Sequence, residues 1–203
     1  MEENPLKLYG KKMKEKEKER YLGDFLHKNG VSESVKTTGL DIWEMVYIPS
    51  LLNNSSTWME VDDGTIKMLD DLQDMLYRSL LSVPVSTPRA ALAWDCGGIK
   101  MHLRIKQNKL NFLNYMLNQS EGSLAKQILF VQREEGHPGL YSECKEYLEE
   151  LNFPDPFVEH FTQKQWKLKV KLAIIERNEN ELKYSFLKYK KLKNSDLMNE
   201  NFG

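Results

Sequence analysis

The stretch 62–81, DDGTIKMLDDLQDMLYRSLL, decides the fold class. Asp62 and Asp63 stand just before Gly64-Thr65, where a carboxylate can accept from the free amides of a first helical turn. Ile66, Leu69, Leu72, Met75, Leu76 and Leu80 then recur every three or four residues. That period lays them along one face of an α-helix, whereas a half-buried strand would alternate.

The same pattern repeats outward in both directions. Residues 40–48, LDIWEMVYI, read as a helix that Pro49 stops or kinks, because proline has no N–H and crowds the preceding turn. Asn53-Asn54-Ser55-Ser56 is a loop. Further back, Tyr21 to Leu26 is a short apolar run closed by Lys28-Asn29-Gly30, which suits a strand and turn. Residues 1–20 are polar and show no apolar period. Downstream, Thr87-Pro88 reads as an N-cap and first helical position, with a stop near Gly97-Gly98. Ile99 to Leu117 places Leu103, Leu110, Leu113 and Leu117 on one face, with Arg104, Lys106 and Lys109 beside it. Residues 123–134 are expected to turn Leu124, Ile128 and Val131 inward. Leu140 to Leu151 is an acidic amphipathic helix, and Phe153-Pro154-Asp155-Pro156 a rigid break. Phe161 to Leu192 reads as one long basic helix, or two joined near Asn178-Glu179-Asn180.

The expected class is therefore mainly α, with six or seven helices and at most a small N-terminal β-hairpin. Three regions follow: a hairpin and charged arm over 1–38, a helical region over 39–155, and a long basic helix and tail over 156–203. Leu69, Leu72, Leu76, Leu103, Leu110, Leu113 and Ile128 are expected to share a core.

Composition narrows the function classes. The 203 residues carry 29 Lys and Arg against 30 Asp and Glu, so any nucleic-acid surface must be a local patch. Two cysteines cannot build a disulfide framework, which points to an intracellular protein, nuclear or cytoplasmic. No apolar run approaches the roughly 20 residues of a membrane span, and the first residues, MEENPLKLYGKK, lack the apolar centre of a signal peptide. Charge runs in blocks. Residues 11–20 are net +3, 60–74 net −5, 134–159 net −7 and 164–193 net +7. The basic blocks can meet phosphates, or they can pair with the acidic blocks of the same chain.

Few constellations suggest catalysis. Asp62-Asp63 raises two-metal chemistry, but Glu60 and Val61 precede the pair where a polymerase hairpin places an aromatic, and a helix cap explains both residues. Cys96, His102, His137 and Cys144 form no close knuckle pair, so neither metal nor cofactor is expected. Ser142-Glu143-Cys144 lies in an acidic helix without a nucleophile elbow. The more suggestive pattern is at the C-terminal end. Trp166, Tyr184 and Tyr189 alternate with Lys164, Lys167, Lys169, Lys171, Lys188, Lys190 and Lys191, an arrangement in which bases stack on rings while lysines hold phosphates. Equally, the aromatics can pack inward and leave the lysines in water.

Several segments together resemble one family. RYLGDFLHKNGVSESV (20–35), IWEMVYIPSLLNNSSTW (42–58), the stretch 72–101 and RIKQNKLNFLNYML (104–117) follow the order seen behind the palm of reverse transcriptases of non-long-terminal-repeat retrotransposons. Residues 123–155 and 166–194 continue that order. The resemblance implies that Tyr21, Leu22 and Gly23 match the primer-grip hairpin, 39–155 the thumb and post-thumb, and the basic helix a surface for template and primer. The catalytic palm lies outside the matched segments, so the chain is expected to be non-catalytic, a fragment or degenerate copy of an RNA-directed DNA polymerase. Its implied partner is RNA or an RNA–DNA hybrid, bound through backbone phosphates by Arg104, Lys106, Lys109, Lys164, Lys167, Lys171, Lys188 and Lys191. No membrane contact is expected, and the sequence names no protein partner. The alternative is a helical interaction or orphan protein with no nucleic-acid role.

Overall fold

A computed structural model describes the backbone of residues 33–58 and 61–200 and of five short strands before them; side chains are described over 34–58 and 61–188. The chain is mainly α. Before the first helix, β1 (Lys7–Leu8) pairs antiparallel with β2 (Lys11–Lys12). β3 (Lys18–Tyr21), β4 (Asp24–His27) and β5 (Gly30–Val31) pair antiparallel in that order, with Tyr21 opposite Asp24 and Leu26 opposite Val31.

The first helical run continues past its proline. α1 (Glu33–Ile42) passes into a wider π turn over Trp43–Tyr47 and then into α2 (Ile48–Leu51), with Pro49 at its start. The Ile48 amide bonds the Trp43 carbonyl, five residues back instead of four. This shift accommodates a residue that offers no N–H and would press on a carbonyl of the previous turn. A 3₁₀ turn at Ser55–Thr57 follows, entered through left-handed Asn54.

α3 (Asp63–Leu81) is capped by Asp62, whose carboxylate accepts from the Thr65 amide at 2.9 Å and its hydroxyl at 2.6 Å. The hydroxyl bond, then the amide bond, hold its carboxyl below its usual range. α4 (Arg89–Asp95) begins one residue later than the sequence suggests, with Pro88 itself at the N-cap. α5 (Met101–Leu117), α6 (Leu124–Glu135) and α7 (Leu140–Glu150) follow. α8 runs unbroken from Gln163 to Glu200. Asn178 makes no joint in it: the side chain is buried, donates to Gly98 O at 2.9 Å and accepts from the Lys100 amide at 3.1 Å. A polar residue that looks like a helix break thus ties α8 to the turn before α5.

Two cores form in place of the single one expected. The first joins Leu103, Leu110 and Leu113 of α5 to Leu129 of α6, Cys144 and Leu148 of α7, and Trp166, Val170 and Ile174 of α8. Trp166 is sealed in it, donating its indole N–H to Leu110 O at 3.0 Å and meeting Phe153 edge-on at 5.1 Å. The second joins Trp43, Ile48 and Leu52 to Leu69 and Tyr77 of α3, Leu92 of α4, and Met101 and Ile105 of α5. Gly98 lies against the Tyr77 ring, where a Cβ would collide. Leu72 and Leu76 are only partly buried.

α6 faces opposite to expectation. Leu129 is fully buried, while Leu124, Ile128 and Val131 are 71%, 45% and 45% exposed. Both stripes have helical spacing, and the deeper socket between α5 and α7 took the one carrying Leu129 with the small Ala125.

Candidate nucleic-acid interface

The cations of α5 point into the protein. Arg104 reaches across to Glu44, with a 2.9 Å and a 2.5 Å contact, and also donates to Ile99 O. Lys106 pairs with Glu150 and lies 5.0 Å from the centre of the Tyr147 ring. Lys109 is closed off from water, its side chain 2% exposed, against Glu143. An ammonium taken out of water needs a carboxylate beside it, and α7 supplies one to each of these lysines. The expectation that Arg104, Lys106 and Lys109 grip phosphates is therefore replaced: their charges hold α5 to α7 and to the first helical run. Arg177 of α8 joins the same set, bonded to Glu150 at 2.9 Å and Glu181 at 3.2 Å.

The opening turns of α8 behave differently. Lys164, Lys167 and Lys171 are exposed, and none has an ion-pair partner among the described residues. Spaced i, i+3 and i+7, they share one stripe. Lys169 lies off it, 3.8 Å from Glu159 and over the Phe161 ring. Lys188 is exposed further along; the side chain of Lys191 lies outside the described residues, as do Leu22, Gly23 and the side chains of Tyr21 and Tyr189. Of the two readings open for Trp166, stacking platform or inward packing, the structure takes the second: it is core. Tyr184 stays exposed.

Beside the lysine stripe opens a groove of about 550 Å³ between the 52–56 loop, one face of α5 and the start of α8. Its wall is rich in amides: Asn53, Gln107, Asn108, Asn111 and Gln163. Asn108 donates to Ser55 Oγ at 2.8 Å, fixing the loop to α5. Asn111 Oδ1 is buried with no hydrogen-bond partner among the described residues. Tyr115 is 52% exposed at the rim, stacked on Phe112 with ring centres 6.1 Å apart. Lys167 stands in the same wall. The sequence reading missed this site, although its signal was present. Gln107, Asn108, Asn111 and Asn114 recur at helical spacing on α5, away from the leucine stripe.

A second polar pocket, about 310 Å³, lies among α3, α4, α5 and α8. Its charges are committed to one another. Arg89 bonds Asp71 and forms an ion pair with Asp74 at 3.0 Å; burial pushes the Asp74 carboxyl up against the pull of Arg89. Glu181 takes Lys100 at 2.9 Å and His102 at 3.4 Å. Burial raises the Glu181 carboxyl, but those two partners outweigh it and bring it down to about 2. Burial also lifts the Cys144 thiol to about 12 and the Cys96 thiol to about 11, leaving neither as a ready thiolate. Among the described residues no three His, Cys, Asp or Glu side chains gather as a metal cage, and no helix is long and apolar enough to cross a membrane. Compared with known proteins, the chain matches no family model, no curated protein and no solved structure.

Proposed function

We propose that this chain is a non-catalytic nucleic-acid-binding relative of the thumb and post-thumb of non-long-terminal-repeat reverse transcriptases. It holds backbone phosphates through the first turns of α8. The observation that carries this reading is the contrast in how lysines are used. Lys106 and Lys109 are engaged by internal carboxylates, while Lys164, Lys167 and Lys171 share one stripe with no ion-pair partner among the described residues. Seven residues of helix rise about 10 Å, so the stripe spans roughly three phosphates of one strand. Ammonium groups on flexible stems act there as point charges, without base readout. Polymerization is not part of the proposal: Asp62 is engaged as the α3 cap, and the chain is expected to extend no primer.

The test is a salt titration of RNA–DNA hybrid binding by the wild type and a Lys164→Gln/Lys167→Gln/Lys171→Gln variant. Each lost contact should flatten the log–log slope by about 0.7–0.9. Thermal stability should not move, since none of the three has an ion-pair partner among the described residues. An unchanged slope rejects the reading. The competing reading, a helical interaction protein, is favoured by the exposed Leu124, Ile128 and Val131 stripe. It predicts no hybrid binding even at low salt.

A further inference from the structure

The groove beside the lysine stripe has a chemistry that phosphate binding alone does not use. Among the described residues, none that lines it is acidic, in a chain with 30 Asp and Glu. Two cations reach it, and Arg104 is already matched by Glu44, so Lys167 leaves the cleft net positive. The rest of its polar wall is mainly primary amides, each offering a carbonyl acceptor and an NH₂ donor. Such pairs match the edges of nucleobases, as when Asn or Gln bonds adenine twice. Asn111, which lines the groove, has an Oδ1 with no hydrogen-bond partner among the described residues, and its terminal torsion is soft enough for the amide to turn. Tyr115 supplies the flat surface: one side of its ring rests on Phe112, and half its surface is open to solvent. A base stacks on such a ring whatever its identity.

We propose that this groove receives unstacked bases of a single-stranded nucleic acid whose phosphates follow Lys164, Lys167 and Lys171. The inference rests on the phosphate reading and sharpens it. A duplex can engage the lysines but keeps its bases stacked and paired, so its strands cannot enter the cleft. A single strand uses lysines, amides and ring together. The volume, about 550 Å³, falls within the range of small-ligand pockets and suits one or two bases.

Fluorescence anisotropy at one salt concentration tests this with a labelled 12-nucleotide oligouridine and an RNA–DNA hybrid of equal length. The wild type is expected to prefer the single strand. Tyr115→Ala should weaken oligouridine on the order of 10- to 100-fold, the loss typical of one stacked base, and leave the hybrid within about twofold. Tyr115→Phe should restore the preference, because it keeps the ring. The triple glutamine variant should weaken both ligands. Because Tyr115 is half exposed, the variants are expected to keep the wild-type circular dichroism spectrum. Hybrid binding with no single-strand preference, or a Tyr115→Ala loss equal on both ligands, overturns the groove assignment alone. Failure to bind either ligand overturns the phosphate reading and this inference with it. Amide shifts at groove residues on adding an unstructured polyglutamate peptide, with none on adding oligouridine, would assign the cleft to a protein partner and also overturn it.

Discussion

Lys109 shows why residue type alone misplaces a binding site. By composition it is one more cation beside a leucine face. In the fold it is buried among the carbon of α5 and α7, with Glu143 as its counter-ion. The two partners are not equivalent, because Glu143 keeps more contact with water. Glu143→Gln strands a buried ammonium and should cost roughly 3–5 kcal/mol, while Lys109→Met leaves a carboxylate that water can reach and should cost clearly less. Urea unfolding of the two variants checks the order. Glu181 carries a pH signature. Its folded pKa, about 2, lies below its ordinary 4.5. The linked stability is therefore present above pH 4.5 and lost as pH falls toward 2. Glu181→Gln should flatten that acid limb in thermal melts taken between pH 2.5 and 5. Neither pairing can be read from the sequence, since Glu143 is 34 residues from Lys109 and Glu181 is 79 from His102.

At the scale of elements, helical period was legible and orientation was not. α3, α5 and α7 lie close to where the spacing of Leu, Ile and acidic residues puts them, although Met75 of α3 is exposed and α5 buries two faces instead of one. α6 has two competing stripes, and only the shape of the socket chooses between them. Leu129→Ala should cost roughly 2–5 kcal/mol, whereas serine at Leu124, Ile128 or Val131 should each stay within about 0.5 kcal/mol. Denaturant midpoints that reverse this order would contradict the placement of α6. The run from α1 to α2 teaches a related lesson. Proline predicts trouble for the backbone ladder, but the form of the remedy, a π turn of five residues centred on Met45, depends on Trp43 and Ile48 both reaching the core. The amide groove went unseen for a simpler reason: Asn and Gln look like ordinary surface until a loop, here 52–56, closes over them.

For the whole molecule, the alternation of basic and acidic blocks was plain in the sequence, and so was the choice it posed between internal pairing and phosphate contact. The fold divides the cations between the two. Those of α5, with Arg177, neutralise acids on other elements; Lys164, Lys167 and Lys171 at the start of α8 meet none among the described residues. Which cations went where depended on the packing of Trp166, Val170 and Ile174, which turns Lys164, Lys167 and Lys171 away from α7. One further consequence follows from α5, which gives Met101 and Ile105 to one core and Leu103, Leu110 and Leu113 to the other. Neither core can open while the other stays shut without tearing that helix from its neighbours. Its central amides are thus expected to take up deuterium only when the entire chain unfolds, at a free energy equal to that from denaturant titration. Slower uptake elsewhere, or faster uptake in α5 than in α7, would break the expectation. If it holds, isotope uptake by this single helix becomes a gauge of the total stability of the molecule.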